Sequence, residues 1–115
     1  MEIFSKHLSE TDISERLSIP AHALHHFEMF EGQDVVVKDW KDKTWKFRFS
    51  TRARGHKRPI FTGQWISFVQ KYGLQPYDLL IFNKLEDDQF RIQMVRETDR
   101  KLFGQQLMWI QVDQA

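Results

Sequence analysis

The chain has 115 residues, with 17 Lys/Arg against 16 Asp/Glu, a formal charge of +1, and no cysteine. That length suits one domain with a single core, and the missing cysteine excludes a disulfide framework, a thiolate metal site and a thiol nucleophile. No run approaches the roughly 18 apolar residues of a membrane span, and "MEIFSKH" lacks the apolar stretch of a signal peptide, so a soluble intracellular domain is expected.

Along the chain, "EIFSKHL" and "RLSIP" read as short strands separated by "SETDISE". "PAHALHHF" opens on Pro20, which suits a first helical turn because its missing N–H would have no partner there. His22, His25 and His26 follow at i, i+3 and i+4. A chelating face is conceivable, but no HExxH, cysteine or nearby acid accompanies them, so solvated histidines are the better reading.

"QDVVVKDW" and "TWKFRFST" pair as a hairpin across "KDK". In the second, Trp45, Phe47 and Phe49 alternate with Lys46, Arg48 and Ser50, which sends the aromatics to one face and the polar side chains to the other. "TGQWISFVQKYGLQP" is the clearest helix, because Trp65, Phe68, Val69 and Tyr72 form one apolar stripe. Thr62 is the candidate cap, and Gly73 followed by Pro76 is the stop.

"DLLIFNKL" and "FRIQMVRE" form a last hairpin over "EDD", and Glu86–Asp88 reads as a solvated turn rather than a carboxylate pair. "LMWIQV" is one more candidate strand in a tail, residues 98–115, set apart from a domain over 1–97. Many short strands with two small helices predict a mainly β fold, a barrel-like sheet closed at its ends by helices.

The near-neutral total conceals a local excess. Between Lys46 and Arg58 lie six Lys/Arg and no acid, which leaves eleven against sixteen, a net −5, for the rest of the chain. If the strand continues past Phe49, then Lys46, Arg48, Ser50, Arg52 and Arg54 share a face, recurring about every 6.6 Å. Gly55 permits a turn, and His56, Lys57 and Arg58 bring further donors back along "PIFTG". Phosphates take Lys and Arg, guanine offers O6 and N7 to a guanidinium, and a major groove about 12 Å wide admits a two-stranded ribbon. Nucleic acid is therefore the leading partner, a groove of double-stranded DNA suiting such an arm, and no cofactor or metal is expected.

Three segments, in this order, resemble the plant B3 DNA-binding domain: "FSKHLSETDISERLSIP", "DWKDKTWKFRF" and "RPIFTGQWISFVQKYGLQPYDLLIF". The first is similar to the family's Lys-x-Leu-x-x-(Ser/Thr)-Asp-(Val/Ile) leading to Arg-Leu-x-(Ile/Val)-Pro, the second to its Trp-x-(Phe/Val)-(Arg/Lys) hairpin, the third to its Trp helix and following strand. The resemblance implies a seven-stranded open pseudobarrel that grips the major groove between two arms. By position, Lys6, Ser9, Thr11, Asp12, Ser14 and Arg16 belong to the N-terminal arm. Arg48, Arg52, Arg54, His56, Lys57 and Arg58 belong to the other, with Lys46 on the same stripe. Thr62, Gln64 and Ser67 stand where a helix start can offer donors to a phosphate. The family's members are plant nuclear transcription regulators, so nuclear localisation is expected; separately, the isolated domain is expected to be a monomer. Two departures stand out. Gly63-Gln64-Trp65 is one residue longer than the family's Gly-Trp, and Tyr77-Asp78 replaces its Gly-Asp.

Two other functions compete. Asp34 with Asp39-Trp40-Lys41 resembles the acid, acid-x-Lys spacing of metal-dependent nucleases, so the domain could instead serve a restriction-type enzyme. A basic protein-interaction module is the third reading, and sequence-dependent duplex affinity separates it from DNA binding.

Overall fold

The computed structural model describes residues 1–52, 58–86, 89–99 and 107–111, with the backbone alone at 52, 97–99 and 107–111. Its strands are β1 (Glu2–His7), β2 (Leu17–Ser18), β3 (Asp34–Lys38), β4 (Thr44–Arg52), β5 (Arg58–Gly63), β6 (Leu79–Lys84), β7 (Phe90–Asp99) and β8 (Leu107–Gln111). Hydrogen-bonded neighbours run β1-β6-β7-β3-β4-β5-β2, and β8 is added to β7. Every pairing is antiparallel except the brief β3–β7 contact, where Val37 and Lys38 lie alongside Phe90 and Arg91. The seven-strand path curls into the open half-barrel that the sequence predicts.

Alternation creates the core. In β4, Trp45, Phe47 and Phe49 are buried while Lys46 and Arg48 are exposed, as period 2 requires. Phe27 lies fully buried amid Phe49, Phe61, Phe82 and Phe90, with ring centroids 5.3–5.6 Å apart. Each such ring contributes roughly 1.5–3 kcal/mol by leaving water, with edge-to-face contact adding to it. The barrel is thus a filled core, able to hold its outer strands in fixed register.

The helices depart from expectation in three places. The stretch after Pro20 is not α-helical but two 3₁₀ turns, Ala21–His26 and Glu28–Phe30. Leu24, Phe27 and Phe30, all packed in or against the core, recur every third residue, the period of a 3₁₀ turn. "SETDISE" is not a plain connection: it holds α1 (Glu10–Ser14), capped by Ser9. The apolar stripe of the remaining helix, α2 (Trp65–Tyr72), is buried, and Gly73 ends it at φ 59°. Thr62 does not cap α2. It belongs to β5, and Gln64 takes the cap position without a side-chain bond to the helix.

Candidate nucleic-acid interface

The basic stripe is built on β4, whose aromatic face is locked into the core. Its outer neighbours follow from register: Asp34 on β3 and Thr62 on β5 flank Arg48, while Ile60 faces Ser50. The strand continues to Arg52, which pairs with Arg58. Lys46 and Arg58 are exposed. Arg48 is partly engaged, 3.4 Å from the Asp34 carboxylate and donating to the Gly32 carbonyl at 3.1 Å. Arg54, His56, Lys57 and the side chain of Arg52 lie outside the described residues.

The extra residue before α2 has a use. Lys46 and Gln64 close the sheet on each other twice: the Gln64 N–H donates to the Lys46 carbonyl, and the Lys46 N–H donates to Gln64 Oε1. Gly63 makes this closure possible. Its φ is +70°, and a Cβ there would sit 3.0 Å from the Arg48 nitrogen and 3.1 Å from the Lys46 oxygen. Gln64 remains exposed, as does Ser67 on the first turn of α2, and Thr62 is half-buried beside Arg48.

The N-terminal arm divides into an outside and an inside. Ser9, Thr11 and Ser14 are exposed. Asp12, a candidate contact by sequence position, is internal at 1% exposure and braces the arm. Its carboxylate accepts from the N–H groups of Ser9 and Ser18 and pairs with Lys6 Nζ at 2.9 Å. Its main-chain carbonyl accepts from the Trp65 indole at 2.6 Å, tying α1 to α2. Lys6 is only 22% exposed and also donates to the Ser18 carbonyl, which leaves it little freedom to reach a phosphate. Arg16 is half-buried, with its Nε buried and unpartnered.

Topology brings the two arms together. β2 pairs with β5 through Leu17–Phe61 and Ser18–Ile60. The N-terminal arm therefore ends beside the return limb of the basic arm. Leu17, which follows the N-terminal arm, pairs with Phe61, three residues from Arg58 along β5.

By sequence Asp39, whose spacing to Lys41 resembles that of a nuclease carboxylate, is expected to be exposed at the hairpin turn beside "KDK". It is buried instead and accepts from the Tyr72 hydroxyl, the Trp45 indole and the N–H groups of Lys41 and Lys43. Burial alone would raise its pKa, yet these four bonds outweigh it and hold the carboxyl below the usual carboxylate value. Among the described residues, no three His, Asp or Glu side chains cluster so as to hold a metal ion.

Two contacts escaped the sequence reading. The Asp12 brace had a signal, because Ser9-x-x-Asp12 is a variant of the capping box. Glu31, bonded to Thr51 on β4, carried no local signal.

A curled, open β-sheet with a basic strand end and a braced second arm defines a class of small nucleic-acid-binding barrels. Within that class the chain belongs to the B3 DNA binding domain family, whose model matches residues 4–98. It is similar to Auxin response factor 3 of rice (Oryza sativa subsp. japonica), with 30% identity over 110 residues that cover 88% of this chain and 15% of that protein. In fold it is similar to FUS3 in the Arabidopsis FUS3–DNA complex, with TM-score 0.71 and 22% identity over 82% of this chain and 96% of the other. The transcription factor LEC2 of Arabidopsis thaliana, solved as a DNA complex, follows at TM-score 0.70 and 18% identity, covering 82% and 92%. The chain spans about 15% of the length of the curated relatives it matches.

Proposed function

We infer that this domain binds double-stranded DNA with sequence preference, placing its two arms in the major groove, as part of a plant transcription regulator acting in the nucleus. The observation that carries the reading is the exposed stripe of Lys46 and Arg48 on β4, whose other face is fixed in the core and whose backbone runs on to Arg52, paired with Arg58 of β5. A rigid strand presents cations at set intervals, which suits base reading better than a solvated loop does. Membership of the B3 family and the likeness to FUS3 and LEC2, both solved with DNA, support the same partner. Ser9, Thr11, Ser14 and Arg16 are the proposed contacts of the first arm. Lys46, Arg48, Arg52, Arg54, His56, Lys57 and Arg58 are those of the second, with Thr62, Gln64 and Ser67 alongside.

The domain acts by binding alone, without catalysis. The bonds that seal Asp39 and the pairing of Asp34 with Arg48 support this against the nuclease reading. Repeated selection of bound duplexes from a random pool is the test. A recurrent motif several base pairs long is expected. Recovery of unrelated sequences at equal affinity would refute sequence preference.

A further inference from the structure

We propose that Glu31 is a positioning residue for the basic arm, setting the stiffness and direction of β4 where it leaves the barrel. This rests on the DNA-binding reading above. Backbone pairing between β3 and β4 ends at Asp34 and Arg48, three residues before Thr51. Beyond that rung the chain improvises a ladder. The Gly32 N–H donates to the Phe49 carbonyl and the Phe49 N–H to the Gln33 carbonyl, both at 2.9 Å. Next, the side chain of Glu31 stands in for a strand: Oε2 accepts the Thr51 N–H at 3.1 Å and Oε1 accepts the Thr51 hydroxyl at 2.6 Å.

On its other side Thr51 lies beside Pro59, but its N–H points to the β3 edge, as the Phe49 N–H does, so β5 offers it no acceptor. Without Glu31 the rung just before the Arg52–Arg58 pair would lose a bond that nothing else in β3 reaches. The residue is well held to do this. Its own N–H, just past the Glu28–Phe30 turn, donates to the Glu28 carbonyl, and the Gln33 N–H donates to the Phe30 carbonyl, fixing the corner from which it reaches out.

Its sign makes the role testable. A carboxylate beside a cluster of cations lowers DNA affinity by simple electrostatics, so removing it for charge reasons alone should tighten binding. A positioning role demands the reverse at the preferred site. Glu31→Ala and Glu31→Gln are compared with the parent on a selected duplex and a scrambled one, with amide exchange followed at Thr51. Glutamine keeps both partners, its oxygen accepting from Thr51 N–H and its amide donating to the hydroxyl.

Glu31→Ala is expected to bind the selected duplex about five-fold more weakly, the net worth of a hydrogen bond, while the scrambled duplex is held at least as tightly. Thr51 should exchange faster while core amides keep their protection. Glu31→Gln should keep the parent's preference. If Glu31→Ala binds the selected duplex as tightly as the parent, or if Thr51 exchange does not change, the proposal is overturned. Failure of the parent itself to prefer any duplex would instead overturn the DNA reading, whatever Thr51 shows.

Discussion

Single residues reveal where this chain accepts cost. Tyr77 has φ +74° and is 79% exposed. The left-handed region costs a residue with a Cβ roughly 1–2 kcal/mol, and so exposed a ring recovers little of that by packing. The position is held from both sides, since the Tyr77 N–H donates to the Leu8 carbonyl and the Leu8 N–H to the Asp78 carbonyl. The family's usual glycine suits this backbone; tyrosine does not. Tyr77→Gly should therefore stabilise the fold by about 1 kcal/mol after glycine's greater entropy in the unfolded chain is allowed for. A lower urea midpoint for the variant would show that the ring makes a contact worth more than the strain.

Asp39 illustrates the opposite case, a buried charge made favourable by its donors. Its folded pKa lies below the unfolded value, so its contribution is complete above the ordinary carboxylate pKa and is lost as pH falls through the lowered one. Asp39→Asn leaves donors facing an amide and should cost on the order of 3 kcal/mol at neutral pH. The gap to the parent should narrow as pH drops below about 4. Denaturation midpoints measured at both pH values check this, and a gap independent of pH would contradict the assignment.

At the scale of the element, β4 separates reading from holding. Arg52 ends the strand and Arg54 follows it, whereas Lys46 lies near the barrel, opposite Val36. A guanidinium on guanine is worth about 1–3 kcal/mol against the wrong base, and lysine lacks its planar fork. Arg52→Lys or Arg54→Lys should weaken binding to the selected duplex and leave a scrambled one almost unchanged. Lys46→Ala should lower both together, because a phosphate contact carries charge and no sequence information. Equal losses on both duplexes for the Arg→Lys pair would move base reading to the other arm. There Ser9, Thr11 and Ser14 are exposed and the α1 backbone is braced by Asp12.

For the whole molecule, the charge distribution predicts a salt dependence. Six cations lie between Lys46 and Arg58, and each phosphate contact contributes about −0.9 to the slope of log K against log[salt]. A slope near −5 is expected from anisotropy titrations across salt on a scrambled duplex, where all six can meet phosphate, and a slope near zero would remove phosphate contact from the account. The compact N-terminal brace bears on that number, since Lys6 is spent on Asp12 and should add little to it.

The sequence by itself determined whatever depends on near neighbours. Alternation in Trp45–Ser50 set the faces of β4, the stripe from Trp65 to Tyr72 set α2, and the local excess of cations set the kind of partner. Period and charge are written along the chain, and the buried aromatics followed them. Tertiary structure decided what depends on residues far apart. Asp12 became internal because Trp65, 53 positions away, closes on it, and Thr51 is held by Glu31 from 20 positions away. The sheet order sets β2 beside β5 and β3 beside β7, and only that order brings the arms to one strand. Such pairings arise from closing the barrel around its core, and no short window of sequence contains the residues that meet there.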